Sequence, residues 1–307
     1  MSSIADIRPI SLTLVDSDLP AAAAAFGDAF SRTGFAVVGD HGIEDALIER
    51  ALAATKAFFA LPEPVKRRYR IEGQGGARGL TPFGIETAKD AQVSDLKEFW
   101  HVGRELPPGH RYRAVMQDNV WPDEVPEFHD AVLALYDALD AAGRRVLRAI
   151  AVHLDLSPEF FEDPVRDGNS VLRLLHYPPV SKDAPGIRAG AHEDINVITL
   201  LLGAEEAGLQ LLDRQGQWRD IDAPAGALVC NIGDMLDRLT GGRLPSTTHR
   251  VVNPAPERRG MARYSTPYFL HFRPDYLIET LPGAEQPLPP ITAHDFLLLR
   301  LREIKLL

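Results

Sequence analysis

Ala191-His192-Glu193-Asp194-Ile195-Asn196-Val197, running into the apolar stretch Ile198-Thr199-Leu200-Leu201, carries a histidine and an aspartate two residues apart beside a predicted strand. In an extended chain, residues i and i+2 project to the same side. The spacing therefore aims the His192 imidazole and the Asp194 carboxylate at one point and turns Glu193 away. A bare His-x-Asp recurs by chance and is weak on its own. A third ligand has to come from elsewhere, and His249 in Ser246-Thr247-Thr248-His249-Arg250-Val251 is the best candidate. It opens a predicted strand, where an antiparallel neighbour would bring it beside the pair. Two imidazoles and one carboxylate on one face of an octahedral ion leave the other face open, which suits iron(II); zinc could use the same three ligands.

A second, independent signal lies fourteen residues beyond His249, in Arg263-Tyr264-Ser265-Thr266-Pro267-Tyr268-Phe269-Leu270-His271-Phe272. On a strand, Arg263, Ser265, Pro267, Phe269 and His271 share one face. An arginine buried among apolar residues needs an anionic partner, because an unpaired buried charge is costly. A guanidinium pairs with a carboxylate through two parallel hydrogen bonds, and a serine two residues on supplies another. Arg263 and Ser265 thus form a receptor for one end of a small diacid. In Val171-Leu172-Arg173-Leu174-Leu175-His176-Tyr177, residues 171, 173, 175 and 177 share a side. With that side inward, the Tyr177 hydroxyl adds a hydrogen bond to the diacid and Arg173 offers a second cation to a substrate.

Outward from these segments, strands are expected at 170–177, 195–202, 208–212, 227–232, 247–253 and 262–272, with turn residues between them. That spacing indicates a sandwich or barrel. Val125–Leu154 has helical periodicity, with a stripe of Val132, Leu135, Leu139, Val146 and Ile150, and the Ala141-Ala142-Gly143 step is a place for a bend. The first part is mixed α/β: a strand at Ile7–Leu14, a helix at Asp18–Thr33, a buried strand at Phe35–Val38 and a helix at Asp45–Ala60 ended by Leu61-Pro62-Glu63-Pro64. Residues 73–84 hold too much glycine for regular structure, and Arg78 and Phe83 there are expected to sit on a lid over a substrate. A leucine-rich helix is expected at Ala293–Leu306. Residues 1–120 are read as an N-terminal α/β extension, and residues 121–307 as the long helix, catalytic core and C-terminal helix.

The chain has 307 residues and a net charge of −10, which argues against nucleic acid or an anionic membrane as partner. The single cysteine, Cys230, allows neither an internal disulfide nor a thiolate metal cluster, so a reducing cytoplasm is the expected compartment. No apolar run reaches the 18 residues or so of a membrane span. His41 is expected to cap a loop, His176 to be packed or hydrogen-bonded, and Asp234 to bond local backbone.

Taken together, these motifs resemble the isopenicillin-N-synthase-like branch of the iron(II)/2-oxoglutarate dioxygenases. The likeness spans nearly the whole chain. It includes His192-x-Asp194, Asn231-Ile232-Gly233-Asp234-Met235-Leu236, Thr248-His249-Arg250-Val251 and Arg263-x-Ser265. In the N-terminal half it includes Gly34-Phe35, His41-Gly42-Ile43, Phe58-Phe59-Ala60-Leu61-Pro62 and Asp95-Leu96-Lys97-Glu98-Phe99. The resemblance implies a mixed α/β fold with a mainly β core, a double-stranded β-helix (jelly-roll), with an N-terminal α/β extension and flanking helices. It implies His192, Asp194 and His249 as iron ligands, Arg263, Ser265 and Tyr177 as the 2-oxoglutarate site, and Arg173, Phe269 and His271 near substrate. Two positions depart from the pattern: Glu193 replaces a common threonine, and Leu175 replaces an asparagine often found near the co-substrate. The implied activity couples decarboxylation of 2-oxoglutarate by dioxygen to hydroxylation, desaturation or cyclisation of a small molecule, with ascorbate as an auxiliary reductant. The arginines point to an anionic or polar substrate. Rival expectations are an iron oxidase of the same fold that needs no 2-oxoglutarate, and a non-catalytic binding module. Nothing in the sequence fixes an oligomeric state.

Overall fold

The computed structural model describes residues 7–73, 76–85, 95–179, 188–202, 208–253, 260–284 and 287–303. The N-terminal elements are β1 (Pro9–Ser11), α1 (Leu14–Ser17), α2 (Leu19–Thr33), β2 (Phe35–Gly39), α3 (Asp45–Phe59), α4 (Glu63–Lys66), β3 (Gly79–Thr81) and β4 (Glu98–Gly103). Next come α5 (Phe128–His153), α6 (Glu162–Val165), β5 (Val171–Tyr177), β6 (Ala189–His192), β7 (Ile198–Leu202), β8 (Leu209–Leu212) and β9 (Trp218–Asp220). The chain continues with β10 (Leu228–Ile232), α7 (Asp234–Thr240), β11 (His249–Val251), β12 (Arg263–Leu270), β13 (Leu277–Ile278), β14 (Ile291–Thr292) and α8 (Ala293–Glu303).

Local chemistry explains where these elements begin and end. Asp18 caps α2, its carboxylate accepting the Ala21 amide at 3.1 Å. Gly34 closes α2 in the left-handed conformation (φ 71°), and a Cβ there would come within 2.5 Å of Pro245 O and Thr247 Oγ1. Glycine is thus needed both for the turn and for the close approach to the segment that carries His249. The apolar stripe of α5 is buried as its period demands, and the helix runs unbroken through Gly143, against which Leu270 and Leu200 pack.

Strands β1-β2-β10-β7-β12-β5-β4-β3 form an eight-stranded sheet, and β6-β11-β8-β9 a four-stranded one. Among the described residues β1 pairs with β2 in parallel and the other pairings are antiparallel. The two sheets make the jelly-roll. Even-numbered residues of β12, Tyr268 and Leu270, join Leu172, Leu174, Ile198 and Leu200 in the main core against α2, α3 and α5. The opposite face looks into the barrel, where Phe35, Val37 and Val229 meet Leu211 and Ile221 from the smaller sheet's side, while Phe99, Leu175 and Tyr177 form a separate cluster. Polar residues also face inward and are buried: Thr199, Asn231, Arg263 and Ser265.

Several boundaries differ from expectation. The first strand is only Pro9–Ser11, because the chain turns into α1. The glycine-rich segment contains β3, which pairs with β4 through Gly79↔His101 and Thr81↔Phe99. That pairing comes from a tertiary partner and not from local propensity. Strand β4 alternates Phe99 and His101 toward the barrel interior with Trp100 and Val102 in the main core on the other face. The last residues of the expected C-terminal helix, 304–306, lie outside the described residues.

Candidate metal and co-substrate site

Strands β6 and β11 run antiparallel with His249 opposite His192, and their imidazole centroids are 4.4 Å apart. Asp194 does not extend β6 as the spacing suggested: the strand stops at His192, and Asp194 lies in the turn that follows. Its position is set by α7 instead. The Asp234 amide donates to Asp194 O at 2.7 Å, and the Met235 amide to Asn196 O at 3.1 Å, so the free N–H groups of a helix start hold the turn.

Each ligand candidate has one polar atom occupied and one left over. Nδ1 of His192 lies 2.7 Å from Gly190 O and Nδ1 of His249 lies 3.1 Å from Thr247 O. A backbone carbonyl only accepts, so Nδ1 carries the proton in both rings and Nε2 presents a lone pair. Asp194 Oδ2 accepts from Thr199 Oγ1 at 2.6 Å and from Asn231 Nδ2 at 2.8 Å. Oδ1 remains, 3.8 Å from Nε2 of each histidine. The three ligand atoms lie within 4.8 Å of one another, the one such His/Cys/Asp/Glu group among the described residues. Burial opposes ionisation of Asp194, but the two imidazoles and the two hydrogen bonds outweigh it and hold the carboxyl below its usual range. Partial loss of hydration and the neighbouring His249 push His192 below its ordinary value, which favours the neutral, ligand-ready ring. Two imidazoles and a carboxylate fit a divalent iron ion chemically. Glu193 points away, as expected, and accepts from Thr248 Oγ1 at 2.9 Å.

Along the barrel, Arg263 pairs in register with Tyr177, and Ser265 with Leu175. All three expected co-substrate residues are buried and face inward. The Arg263 guanidinium lies 5.2 Å from the Tyr177 ring centre. A second guanidinium, Arg188, lies 5.6 Å from the same ring.

Residues 4–124 match the family described as non-haem dioxygenase in morphine synthesis N-terminal, and residues 168–272 match the 2OG-Fe(II) oxygenase superfamily. The chain belongs to the 2-oxoglutarate/iron(II) oxygenases. It is 36% identical over 280 residues to the 2-oxoglutarate-Fe(II) type oxidoreductase hxnY of Emericella nidulans, covering 85% of this chain and 78% of that protein. A crystal structure of a 2OG-Fe(II) oxygenase family protein from Caulobacter crescentus superposes with a TM-score of 0.91 at 57% identity, covering 99% of this chain and all of that one. A full-length Neurospora crassa protein, crystallised in complex with alpha-KG and thymine, gives a TM-score of 0.85 at 29% identity, covering 98% of this chain and 99% of that one.

The remaining residues expected in this oxygenase's site are divided by the structure. Arg173 faces inward, 4.3 and 5.2 Å from the Phe99 and Phe269 ring centres, and donates from Nε to His101 Nε2 at 2.6 Å. The His101 ring is oriented by Gly76 O, 2.7 Å from Nδ1. His271 is buried just past β12, within electrostatic reach of Asp194 and Arg78, and burial pushes it down to about 4. Arg78 is not on an exposed lid: it is 3% exposed and bound to backbone carbonyls, because Gly103 leaves room for its guanidinium. Phe83 is 43% exposed. Asp234 does not spend its side chain on local backbone; Oδ2 lies 2.9 Å from Arg300 Nη2, which ties α8 to the start of α7. Burial raises Asp234 to about 6 despite the Ser246 hydrogen bond and the Arg300 charge. His41 and His176 behave as expected. His41 Nδ1 accepts the Ile43 amide at 3.0 Å while Nε2 donates to Gly226 O at 2.7 Å, and His176 Nδ1 lies 2.7 Å from Glu98 Oε1.

Sequence reasoning missed Thr199, Asn231 and Arg188. Asn231 was marked by being polar inside the otherwise apolar run Leu228–Ile232. Arg188 was marked by alternation, lying four residues before His192 and so on its face if the strand is read backwards.

Proposed function

We propose that His192, Asp194 and His249 hold iron(II), and that Arg263, Ser265 and Tyr177 hold the distal carboxylate of 2-oxoglutarate. Arg173, Phe269 and His271 line the space where a small polar or anionic substrate is oxidised. The observation that carries the reading is the division of Asp194: one oxygen is pinned by Thr199 and Asn231, the other is shared between two imidazole Nε2 atoms. The thymine bound by the Neurospora relative supports a small-molecule substrate. Iron(II) and 2-oxoglutarate, when bound, supply an oxidant from dioxygen at the expense of decarboxylation to succinate and carbon dioxide.

The protein's share is binding, orientation and exclusion of water. Arg263 neutralises the distal carboxylate and Ser265 fixes its rotation. The cluster of Phe99, Leu175 and Tyr177 dries the site, which strengthens each of these interactions. Leu175, placed where relatives often have asparagine, contributes apolar surface to this cluster. Arg188 adds positive potential beside Tyr177 that draws the dianion in. Ascorbate serves as an auxiliary reductant. Residues 1–120 form the extension and 121–307 the catalytic part. A reducing cytoplasm suits the buried thiol of Cys230, and among the described residues no helix is long and apolar enough to cross a membrane.

Anaerobic titration of iron(II)-loaded protein with 2-oxoglutarate tests the clamp. Arg263→Ala is expected to weaken binding about thirtyfold or more, since truncating one partner of a buried charge pair costs roughly 2–5 kcal/mol. Unchanged affinity would remove Arg263 from the co-substrate site.

A further inference from the structure

The substrate end of the barrel contains two guanidiniums in different situations. Arg173 is held between the Phe99 and Phe269 rings and bonded to His101, so its faces and its Nε are already engaged. Arg78 donates from Nε to Gln117 O at 3.1 Å and from Nη1 to Ala77 O at 2.7 Å, both uncharged acceptors. Its Nη2 is buried without a hydrogen-bond partner among the described residues. A Cβ on Gly103 would lie 1.9 Å from that Nη2 and 2.0 Å from Cζ, so the guanidinium rests directly on this position. Gly103 follows His101 by two residues on the inward face of β4 and pairs with Val171, itself opposite Phe269. The charges that act on Arg78 do not neutralise it. Asp118 is mostly exposed and paired with Arg113, and Tyr136 is a buried phenol that donates to Ser170 O. Burial lowers the Arg78 pKa from its ordinary value, a sign of a hydration shell that has been lost without replacement by an anion.

We propose that Arg78 Nη2 receives a carboxylate of the prime substrate, so that this oxygenase acts on a small organic acid whose carbon body lies along Phe269 and Arg173 toward the metal site. The inference deepens the proposed function and rests on it. A monoanion suits one free nitrogen with two N–H groups, whereas a phosphate would leave acceptors unmet.

The test uses iron(II)-loaded protein without oxygen and with saturating 2-oxoglutarate, so that the Arg263 clamp is filled. Benzoate, cyclohexanecarboxylate and a series of small substituted monocarboxylates are titrated calorimetrically against their primary amides. At least one acid should bind tenfold or more tighter than its amide. Arg78→Met should abolish that preference while 2-oxoglutarate affinity stays as in the wild type, an outcome that a purely structural role for Arg78 does not produce. Gly103→Ala, which displaces the guanidinium but keeps its charge, should shrink the preference and reads the same effect if Arg78→Met does not fold. Equal binding of acids and amides, binding of neither, or a preference that survives both variants overturns the proposal. Failure of wild-type protein to bind 2-oxoglutarate at all would instead overturn the proposed function beneath it.

Discussion

The two oxygens of Asp194 face different partners, and the surrounding side chains enforce the difference. Thr199 and Asn231 occupy Oδ2, fixing the carboxylate plane so that Oδ1 points between the two Nε2 atoms. Groups that orient ligands in this way typically contribute 10–100-fold to metal affinity. Thr199→Val and Asn231→Ala are each expected to weaken iron(II) or cobalt(II) binding by about that factor, measured by anaerobic titration with a competing chelator. Wild-type affinity in both would mean that Asp194 is oriented by the α7 backbone alone. The proposed ligands and Arg263 stood out in the sequence because charged or metal-binding residues in apolar strands leave few interpretations. Thr199 did not, because threonine is an ordinary strand residue. Its role exists only because the turn of residues 193–197 folds Asp194 back toward β7.

At the scale of elements, β4 is tied to β5 and α4 by a buried ionic group. Glu98 accepts two bonds from Lys66 Nζ at 2.8 Å and one from His176 at 2.7 Å. Burial alone would raise the Glu98 pKa, but His176 and Lys66 reverse the sign and hold it below 4.5. The unfolded chain therefore takes up this proton first. The group's stabilisation is complete above the unfolded value and is lost as pH falls through the lower folded value. The wild type's stability against urea should fall from about pH 5 downward. Glu98→Gln should flatten that slope and cost about 1.5–3 kcal/mol at neutral pH, since buried Lys66 keeps only the half-exposed Glu63 at 3.3 Å. An unchanged slope would assign acid sensitivity to other groups. Strand β4 was missed as an element because it follows a glycine-rich segment, yet its alternation of Phe99 and His101 against Trp100 and Val102 was present to be read. Strands β5, β7, β8, β10, β11 and β12 were legible because each alternates or runs apolar between clear turn residues, whereas the two-residue β13 and β14 gave no such signal. β6 and β9 are too short to signal themselves, and pairing with longer neighbours defines them.

The whole molecule carries a net charge of −10 around an interior that gathers Arg78, Arg173, Arg188 and Arg263, all but Arg173 fully buried. Composition could not reveal that interior, because surface acids set the total while a few buried cations set the site's potential. Strands β1–β4 from the first 120 residues share the large sheet with β5, β7, β10 and β12, so ligand binding between the sheets should stabilise the chain as a unit. Iron(II) with 2-oxoglutarate, each at about a hundred times its dissociation constant, adds roughly 2.7 kcal/mol per ligand. A rise in anaerobic Tm of roughly 4 °C or more is expected, reversed by a chelator. No shift, or an equal shift in Asp194→Ala, would place the metal elsewhere. The most direct test of the central claim is succinate formation by iron(II)-loaded protein given 2-oxoglutarate and air, with and without small organic acids. The account predicts oxygen-dependent succinate in the wild type, none above background in Asp194→Ala, and stimulation by a substrate acid. No succinate from protein with confirmed bound iron, or succinate undiminished in Asp194→Ala, would contradict it.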